Sequence, residues 1–131
     1  MTDNADPSGS KTTTDLIIVI VGPCASGKTT LAANLSALGF DARVIGQEHS
    51  EIHSLWAKPE PDVVIALHID LETLRIRRGP TWSKRLFDAQ HHRLRDAYAA
   101  ADLHLDTSIL DEEEVVRQVV DLILEAVKEK D

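Results

Sequence analysis

Residues 22–29 read Gly-Pro-Cys-Ala-Ser-Gly-Lys-Thr and match the pattern G-x-x-x-x-G-K-[ST] at each fixed position. Such a loop wraps backbone N–H groups around a phosphate at the positive end of a helix dipole. Gly22 and Gly27 allow an approach that a Cβ would block. Lys28 is expected to reach the terminal phosphates, and the Thr29 hydroxyl to bind Mg²⁺. The predicted phosphate contacts are Gly22, Pro23, Cys24, Ala25, Ser26, Gly27, Lys28, Thr29 and Thr30.

The segments on either side of this motif supply the context that it needs. Residues 16–21 are apolar, as in a buried strand, and residues 30–35 are typical of an opening helix. The pattern is specific only when strand, loop and helix occur in that order. The chain therefore predicts binding of a nucleoside triphosphate. An N-K-x-D motif does not occur in it, which favours ATP over GTP.

Strands alternate with helices along the rest of the chain. Strands are predicted at 15–21, 41–47, 62–69 and 102–105, and helices at 28–38, 71–78, 84–101 and from about 112 onward. This alternation predicts a three-layer α/β/α fold with a small, mainly four-stranded parallel sheet. The expected strand order is 2-1-3-4, with 2-3-1-4 as the alternative. Residues 1–14 are expected to be a disordered tail, and 15–131 a single domain.

The composition indicates the broad class of protein to which this chain belongs. The chain has 131 residues, of which 43% are hydrophobic and 27% charged, as in ordinary globular proteins. Its apolar runs are too short to span a bilayer, nothing in it resembles a signal peptide, and its single cysteine, Cys24, cannot form an intrachain disulfide. We therefore expect an intracellular, cytoplasmic protein.

Basic residues are concentrated in one part of an acidic chain of net charge −8. Segment 71–95 holds half of all lysines and arginines, namely Arg75, Arg77, Arg78, Lys84, Arg85, Arg93 and Arg95. Such a segment can bind nucleic acid or hold the phosphates of a nucleotide. With a phosphate loop present and few aromatic residues for stacking, we favour the second, and nucleic acid is not an expected partner.

Candidate catalytic residues follow from the needs of phosphoryl transfer, which are charge neutralisation, a held Mg²⁺ and an oriented nucleophile. Glu48, after the second predicted strand, is the first choice for binding Mg²⁺ through water or for acting as the base. Asp70 is the second choice, although capping of the following helix already explains it. The arginines expected to stabilise the transferring phosphoryl are Arg78, Arg85 and Arg93, whereas Arg75, Arg77 and Arg95 are interpreted as a solvated face.

Histidines and tryptophans near these candidates have ordinary explanations. His49 and His53 would share one face of a helix beside Glu48, so zinc is an alternative there, although no further ligand is obvious. Trp56 and Trp82 could cover a ligand, but ordinary packing of a large side chain is the better interpretation.

Two stretches carry a wider resemblance, namely the loop at 22–30 and the C-terminal segments 61–67, 71–78 and 101–108. From the first strand onward they resemble the phosphate-loop kinases that include shikimate, gluconate, adenylylsulfate and nucleotide kinases. The resemblance implies a lid that bears arginines, and a last strand whose exit, at Thr107, lies near the purine. Between residues 39 and 61 it thins, so we infer that one strand and most of the acceptor-binding module are absent.

These observations predict an ATP-dependent phosphotransferase that uses Mg²⁺ and acts on an unidentified small-molecule acceptor. The alternative is a regulatory nucleotide-binding protein with slow or no hydrolysis that acts through a partner. A nucleic-acid 5′-end kinase is a third, weaker interpretation. Because the chain leaves little room for an acceptor site, a homodimer in which a second subunit completes that site is also an open alternative.

Overall fold

The computed structural model describes residues 12–130, with side chains described through residue 127. Most of the predicted tail, residues 1–11, lies outside this part of the chain. Thr13–Asp15 form a single 3-10 turn that precedes the first strand. No helix in the described range combines the length and the apolarity needed to cross a bilayer.

Four parallel strands form the sheet, as the alternation of elements predicted. They are β1 (Ile17–Val21), β2 (Asp41–Val44), β3 (Val63–His68) and β4 (Leu103–Asp106). Their order is β2-β1-β3-β4, which confirms the preferred arrangement and excludes the alternative. β1 and β3 lie in the centre and are almost fully buried, as continuous apolar runs in a parallel sheet should be.

Helices cover both faces of this sheet and complete the three predicted layers. They are α1 (Lys28–Ala37), α2 (Leu71–Arg78), α3 (Lys84–Ala100) and α4 (Glu112–Lys130). On one face, α1 and α4 pack on the sheet through a core that includes Leu31, Leu35, Val115, Val119 and Ile123. On the other face, Leu94 and Ala97 of α3 pack against Val19, Val21 and Ala66.

Side chains at the predicted positions cap the helices. Asp70 accepts a 2.7 Å hydrogen bond from the N–H of Thr73, and Ser83 accepts one of 3.2 Å from Leu86. Asp111 accepts one of 2.8 Å from the N–H of Glu114. The Glu114 carboxylate, however, turns to Arg117 and Gln118 on its own helix, so this capping box is one-sided.

The second strand is shorter than the predicted 41–47. β2 ends at Val44, and Gln47–His49 form a 3-10 turn instead. The reason is that the Gln47 side chain is fully buried, where it donates to the Ile52 carbonyl (2.8 Å) and accepts from the N–H of Trp56 (2.9 Å). This amide therefore ties together residues 47–56 of the connection between β2 and β3.

Candidate functional site

The loop that carries the glycine–lysine motif lies at the carboxyl end of β1 and leads into α1. A Cβ at Gly22 would come within 2.6 Å of Ser26 Oγ and 2.9 Å of the Leu67 carbonyl oxygen. The loop therefore packs directly on the end of β3, and only glycine fits there. Gly27 caps α1 with a φ of 97°, and Ala25 also has a positive φ, of 66°. These conformations build a tight turn ahead of the helix N-terminus.

Lys28 folds back onto its own loop. Its Nζ donates to the carbonyl oxygens of Gly22 and Pro23, both at 2.9 Å, and lies 2.9 Å from Glu48 Oε2. All three ammonium protons thus have acceptors. The two side chains are 10% and 5% exposed, so this ion pair is nearly buried.

Glu48 reaches Lys28 because of the 3-10 turn after β2. The buried Gln47 amide fixes that turn, and the residue beside it points its carboxylate at the loop. Glu48 is 3% exposed, and its second oxygen, Oε1, is buried with no hydrogen-bond partner among the described residues. An unpartnered buried carboxylate oxygen is costly, so it marks a place where a ligand would gain affinity.

A second group of contacts joins the loop to the ends of β3 and β4. The Thr107 hydroxyl lies 2.8 Å from the Ser26 carbonyl oxygen and 3.2 Å from that of His68. Arg77, from the last turn of α2, donates to the carbonyl oxygens of Ala25 and Thr107, both at 2.8 Å. Two separate parts of the chain, the last turn of α2 and the exit of β4, therefore fix the loop backbone.

Gln90 fixes the loop from the other face of the sheet. It is fully buried on α3, accepts from the N–H of Cys24 at 3.0 Å, and donates to Cys24 Sγ at 3.2 Å. Sequence reasoning missed this residue. The available signal was its position four residues before Leu94, on the stripe of α3 that packs on the sheet, where a polar side chain needs a partner.

Tyr98 supports the site from beneath. Its hydroxyl donates a 2.6 Å hydrogen bond to the Leu67 carbonyl oxygen, the same atom that Gly22 approaches. Burial, and to a smaller extent the negative charge of Glu48, raises the pKa of Tyr98. The phenol therefore stays protonated and keeps donating at any ordinary pH.

The loop opens into a cleft of about 810 Å³. Its lining includes the predicted residues Cys24, Ala25, Ser26, Gly27, Lys28, Thr29, Thr30, Glu48, Arg78 and Thr107. Gly22 and Pro23 are buried behind the loop, where their carbonyl groups hold Lys28. The structure thus brings the predicted loop residues, the predicted carboxylate and one predicted arginine to the same cleft.

Two of the three predicted arginines lie elsewhere. Arg85 is exposed on the first turn of α3, outside the residues that line the cleft. Arg93 Nε pairs with Glu51 at 2.7 Å, and its Nη1 donates to the Glu48 carbonyl oxygen at 3.3 Å. In their place the cleft contains Arg77, which sequence reasoning assigned to a solvated face.

Four other predicted candidates have neighbours in the structure that account for their positions. Asp70 caps α2, and the hydrogen bond from Thr73 lowers its pKa. Trp56 packs against the core beneath α3. His53 lies 3.6 Å from Asp96, whereas His49 lies 3.5 Å from Glu48, so the two histidines do not share one helix face.

The polar atoms that line the cleft suit a triphosphate with bound Mg²⁺. Ser26 Oγ and Glu48 Oε1 are buried without partners among the described residues. A hydroxyl (Thr29), a carboxylate (Glu48) and an ammonium (Lys28) line the same space. Oxygen ligands suit Mg²⁺, while the loop N–H groups and the ammonium suit phosphate.

Comparison with known proteins adds little to this geometry. No family model matches the chain, and no curated protein matches it. Among solved structures, it is similar to the YorR protein of Bacillus subtilis, which was crystallised in complex with phosphorylated GDP. The two are 16% identical over 81% of this chain and 95% of YorR, with a TM-score of 0.49. Because both the identity and the TM-score are low, the interpretation of the site rests on the geometry of the cleft alone.

Proposed function

We propose that this protein binds Mg-ATP at the 22–30 loop and transfers the γ-phosphoryl group to a small-molecule acceptor. One observation carries the proposal. Lys28 and Glu48 form a nearly buried ion pair in the cleft that the phosphate-loop motif lines, and the second oxygen of Glu48 is left without a partner. A cation and a carboxylate held together beside a phosphate loop are two of the parts that phosphoryl transfer needs.

Lys28 would exchange its partners when the nucleotide binds. Its ammonium leaves the carbonyl oxygens of Gly22 and Pro23 and the Glu48 carboxylate, and moves to the terminal phosphate oxygens. The N–H groups of the loop hold the phosphates, and their positions are fixed by Gln90 and Thr107. Little rearrangement of the loop backbone is then required.

Glu48 becomes available once Lys28 has moved. With the Thr29 hydroxyl, it would hold Mg²⁺, directly or through water, or it would accept the proton of the attacking acceptor hydroxyl. When bound, Mg²⁺ supplies neutralisation of the charge that develops on the phosphoryl oxygens. Arg78 lines the same cleft and would stabilise that charge. Arg77 lines it too, but its guanidinium already donates to the carbonyl oxygens of Ala25 and Thr107.

A second candidate function is nucleotide binding without transfer, through which the protein would regulate a partner. The connection between β2 and β3 favours it, because its helical content is only two 3-10 turns, Gln47–His49 and Leu55–Ala57. Arg85 and Arg93 also lie outside the cleft lining. A complete acceptor site would then have to come from another molecule, such as a second copy of this chain.

Calorimetric titration of Mg-ATP into the wild-type chain, Lys28→Ala and Lys84→Ala tests nucleotide binding. Lys84 is the matched control, since it is an exposed lysine on α3 that pairs with Asp88. We expect micromolar binding by the wild type and by K84A, and at least about tenfold weaker binding by K28A. Equal affinities in all three proteins, or no binding by the wild type, would overturn the proposal.

Turnover separates the two candidate functions. ATP consumption that requires an added metabolite, and that Glu48→Gln abolishes while Mg-ATP binding persists, identifies a phosphotransferase. Binding without turnover across a broad metabolite panel identifies the regulatory alternative.

A further inference from the structure

We propose a second metal site, selective for a softer divalent cation such as Zn²⁺, formed by Cys24 Sγ, His49 Nε2 and the Glu48 carboxylate. These three ligand atoms all lie within 4.8 Å of one another at one edge of the cleft. Thiolate, imidazole and carboxylate are the zinc ligands found in proteins, whereas Mg²⁺ prefers an all-oxygen shell. The inference goes beyond nucleotide binding and does not depend on it.

The distances match the edges of a zinc tetrahedron. Zn–S bonds of about 2.3 Å and Zn–N or Zn–O bonds of about 2.0–2.1 Å give edges of about 3.6 Å between S and N and about 3.4 Å between N and O. The observed separations are 3.8 Å from Cys24 Sγ to His49 Nε2, and 3.5 Å from His49 Nε2 to Glu48 Oε2. Two edges of the polyhedron are therefore close to the expected lengths, and the third ligand pair lies within 4.8 Å. The Glu48 oxygen in this set also pairs with Lys28 at 2.9 Å, so the cation would share that carboxylate with the ammonium.

The Glu48 carboxylate provides the independent indication that something binds here. Its side chain is 5% exposed, and Oε1 is buried with no partner among the described residues. Lys28 satisfies only Oε2. A divalent cation bound by this carboxylate would give it the second partner that it lacks.

A buried amide holds the Cys24 sulfur in place. Gln90 donates its amide N–H to Sγ at 3.2 Å, and its buried position on α3 fixes that amide. Hydrogen bonds of this kind to a ligand atom tune and orient metal sites. The His49 side chain is 63% exposed, so its ring is accessible to a cation from the solvent.

Cobalt(II) titration of the reduced full-length chain tests the site, because only a thiolate ligand gives a near-ultraviolet charge-transfer band with Co²⁺. Cys24 is the single cysteine, so such a band reports this residue alone. We expect one Co²⁺ per chain with the band, and its loss on addition of Zn²⁺. Cys24→Ser should lose the band, and His49→Ala and Glu48→Gln should weaken cobalt binding at least about tenfold.

Two controls keep the result interpretable. His53→Ala removes a nearby histidine that lies beside Asp96 and should leave the band unchanged. Lys28→Ala should weaken Mg-ATP binding at least about tenfold yet retain the band, so failure of this site and failure of nucleotide binding are distinguishable. The proposal is overturned if wild-type protein gives no charge-transfer band, or if the band survives H49A and E48Q at unchanged affinity, since a lone thiolate would then be binding cobalt.

Discussion

The hydroxyl of Thr107 and the carbonyl oxygen of Ser26 lie 2.8 Å apart, although 81 residues separate them in the chain. Thr107 follows β4, and Ser26 is in the middle of the phosphate loop. The bond is buried, and Arg77 adds a second connection between the same two segments. The exit of the last strand therefore holds the loop in position.

Removing the Thr107 hydroxyl should weaken nucleotide binding. A buried hydrogen bond of this kind contributes about 1 kcal/mol, which corresponds to about a fivefold change in affinity if the loop is left free to move. We expect Thr107→Ala to bind Mg-ATP about fivefold more weakly by calorimetry. Thr107→Ser keeps the hydroxyl and should bind as the wild type does; equal losses in both variants would show that the methyl group matters instead.

Replacing Gly22 by alanine should disrupt the loop. The new Cβ would lie 2.9 Å from the Leu67 carbonyl oxygen, which belongs to a central strand and cannot move away cheaply. We expect G22A to lower the melting temperature and to weaken Mg-ATP binding at least about tenfold. Gly46→Ala is the matched control, because its φ is −78° and its Cβ would meet nothing within 4 Å. Wild-type affinity in G22A would contradict this picture of the loop.

The two arginines at positions 77 and 85 should behave differently. Arg77→Ala removes the donors to the carbonyl oxygens of Ala25 and Thr107, so we expect nucleotide affinity to fall about tenfold. Arg77→Lys cannot bridge both carbonyl groups and should be intermediate. Arg85→Ala changes an exposed residue outside the cleft and should have no effect on affinity. Calorimetry on the three variants checks the order, and an R85A loss as large as that of R77A would refute it.

Stability should fall on acidification because of a histidine pair at the end of β3. His68 Nε2 and His104 Nδ1 lie 2.8 Å apart, so one ring must donate and the other must accept. Burial first, and then the charges of His104 and His91, lower the pKa of His68 below its ordinary 6.5, while Asp106 acts in the opposite direction. The folded protein thus favours a neutral His68.

The unfolded chain binds the proton at higher pH than the folded chain does. The contribution of His68 to stability is therefore complete above about pH 6.5 and is lost as the pH falls through the lowered folded-state pKa. Urea unfolding at about pH 7.5 and about pH 5.5 should show a smaller loss of stability in His68→Asn than in the wild type. His92→Asn changes an exposed histidine of α3 and should lose as much stability between the two pH values as the wild type does. If H68N lost as much stability on acidification as the wild type, the histidine pair would be excluded as the cause of that loss.

Local sequence patterns were sufficient to predict most elements of the fold. The apolar runs of β1 and β3 predicted two buried central strands, and Asp70 and Ser83 correctly marked the starts of helices. These features depend on residues within a few positions of one another. The end of β2 was not predictable in this way, because it depends on Gln47 finding partners at Ile52 and Trp56.

Outside its motif, the site was predictable only at Glu48, Arg78 and Thr107. The motif specifies which backbone groups could hold a phosphate, and it named Lys28 and Thr29. It says nothing about Gln90 or Arg77, because their places depend on how α3 and α2 pack on the sheet. The solvated-face interpretation of Arg77 illustrates this, since the last turn of α2 lies beside the loop only in the folded domain.

The phosphate loop is held by Gln90, Arg77 and Thr107. This has a consequence for biosynthesis. All eight residues of the motif leave the ribosome before these three, and the last of the three to be made, Thr107, follows β4. A nascent chain that stops before β4 contains the complete motif with Gln90 and Arg77, but it lacks Thr107. We therefore expect the nascent chain to bind the nucleotide with full affinity only after the last strand has joined the sheet.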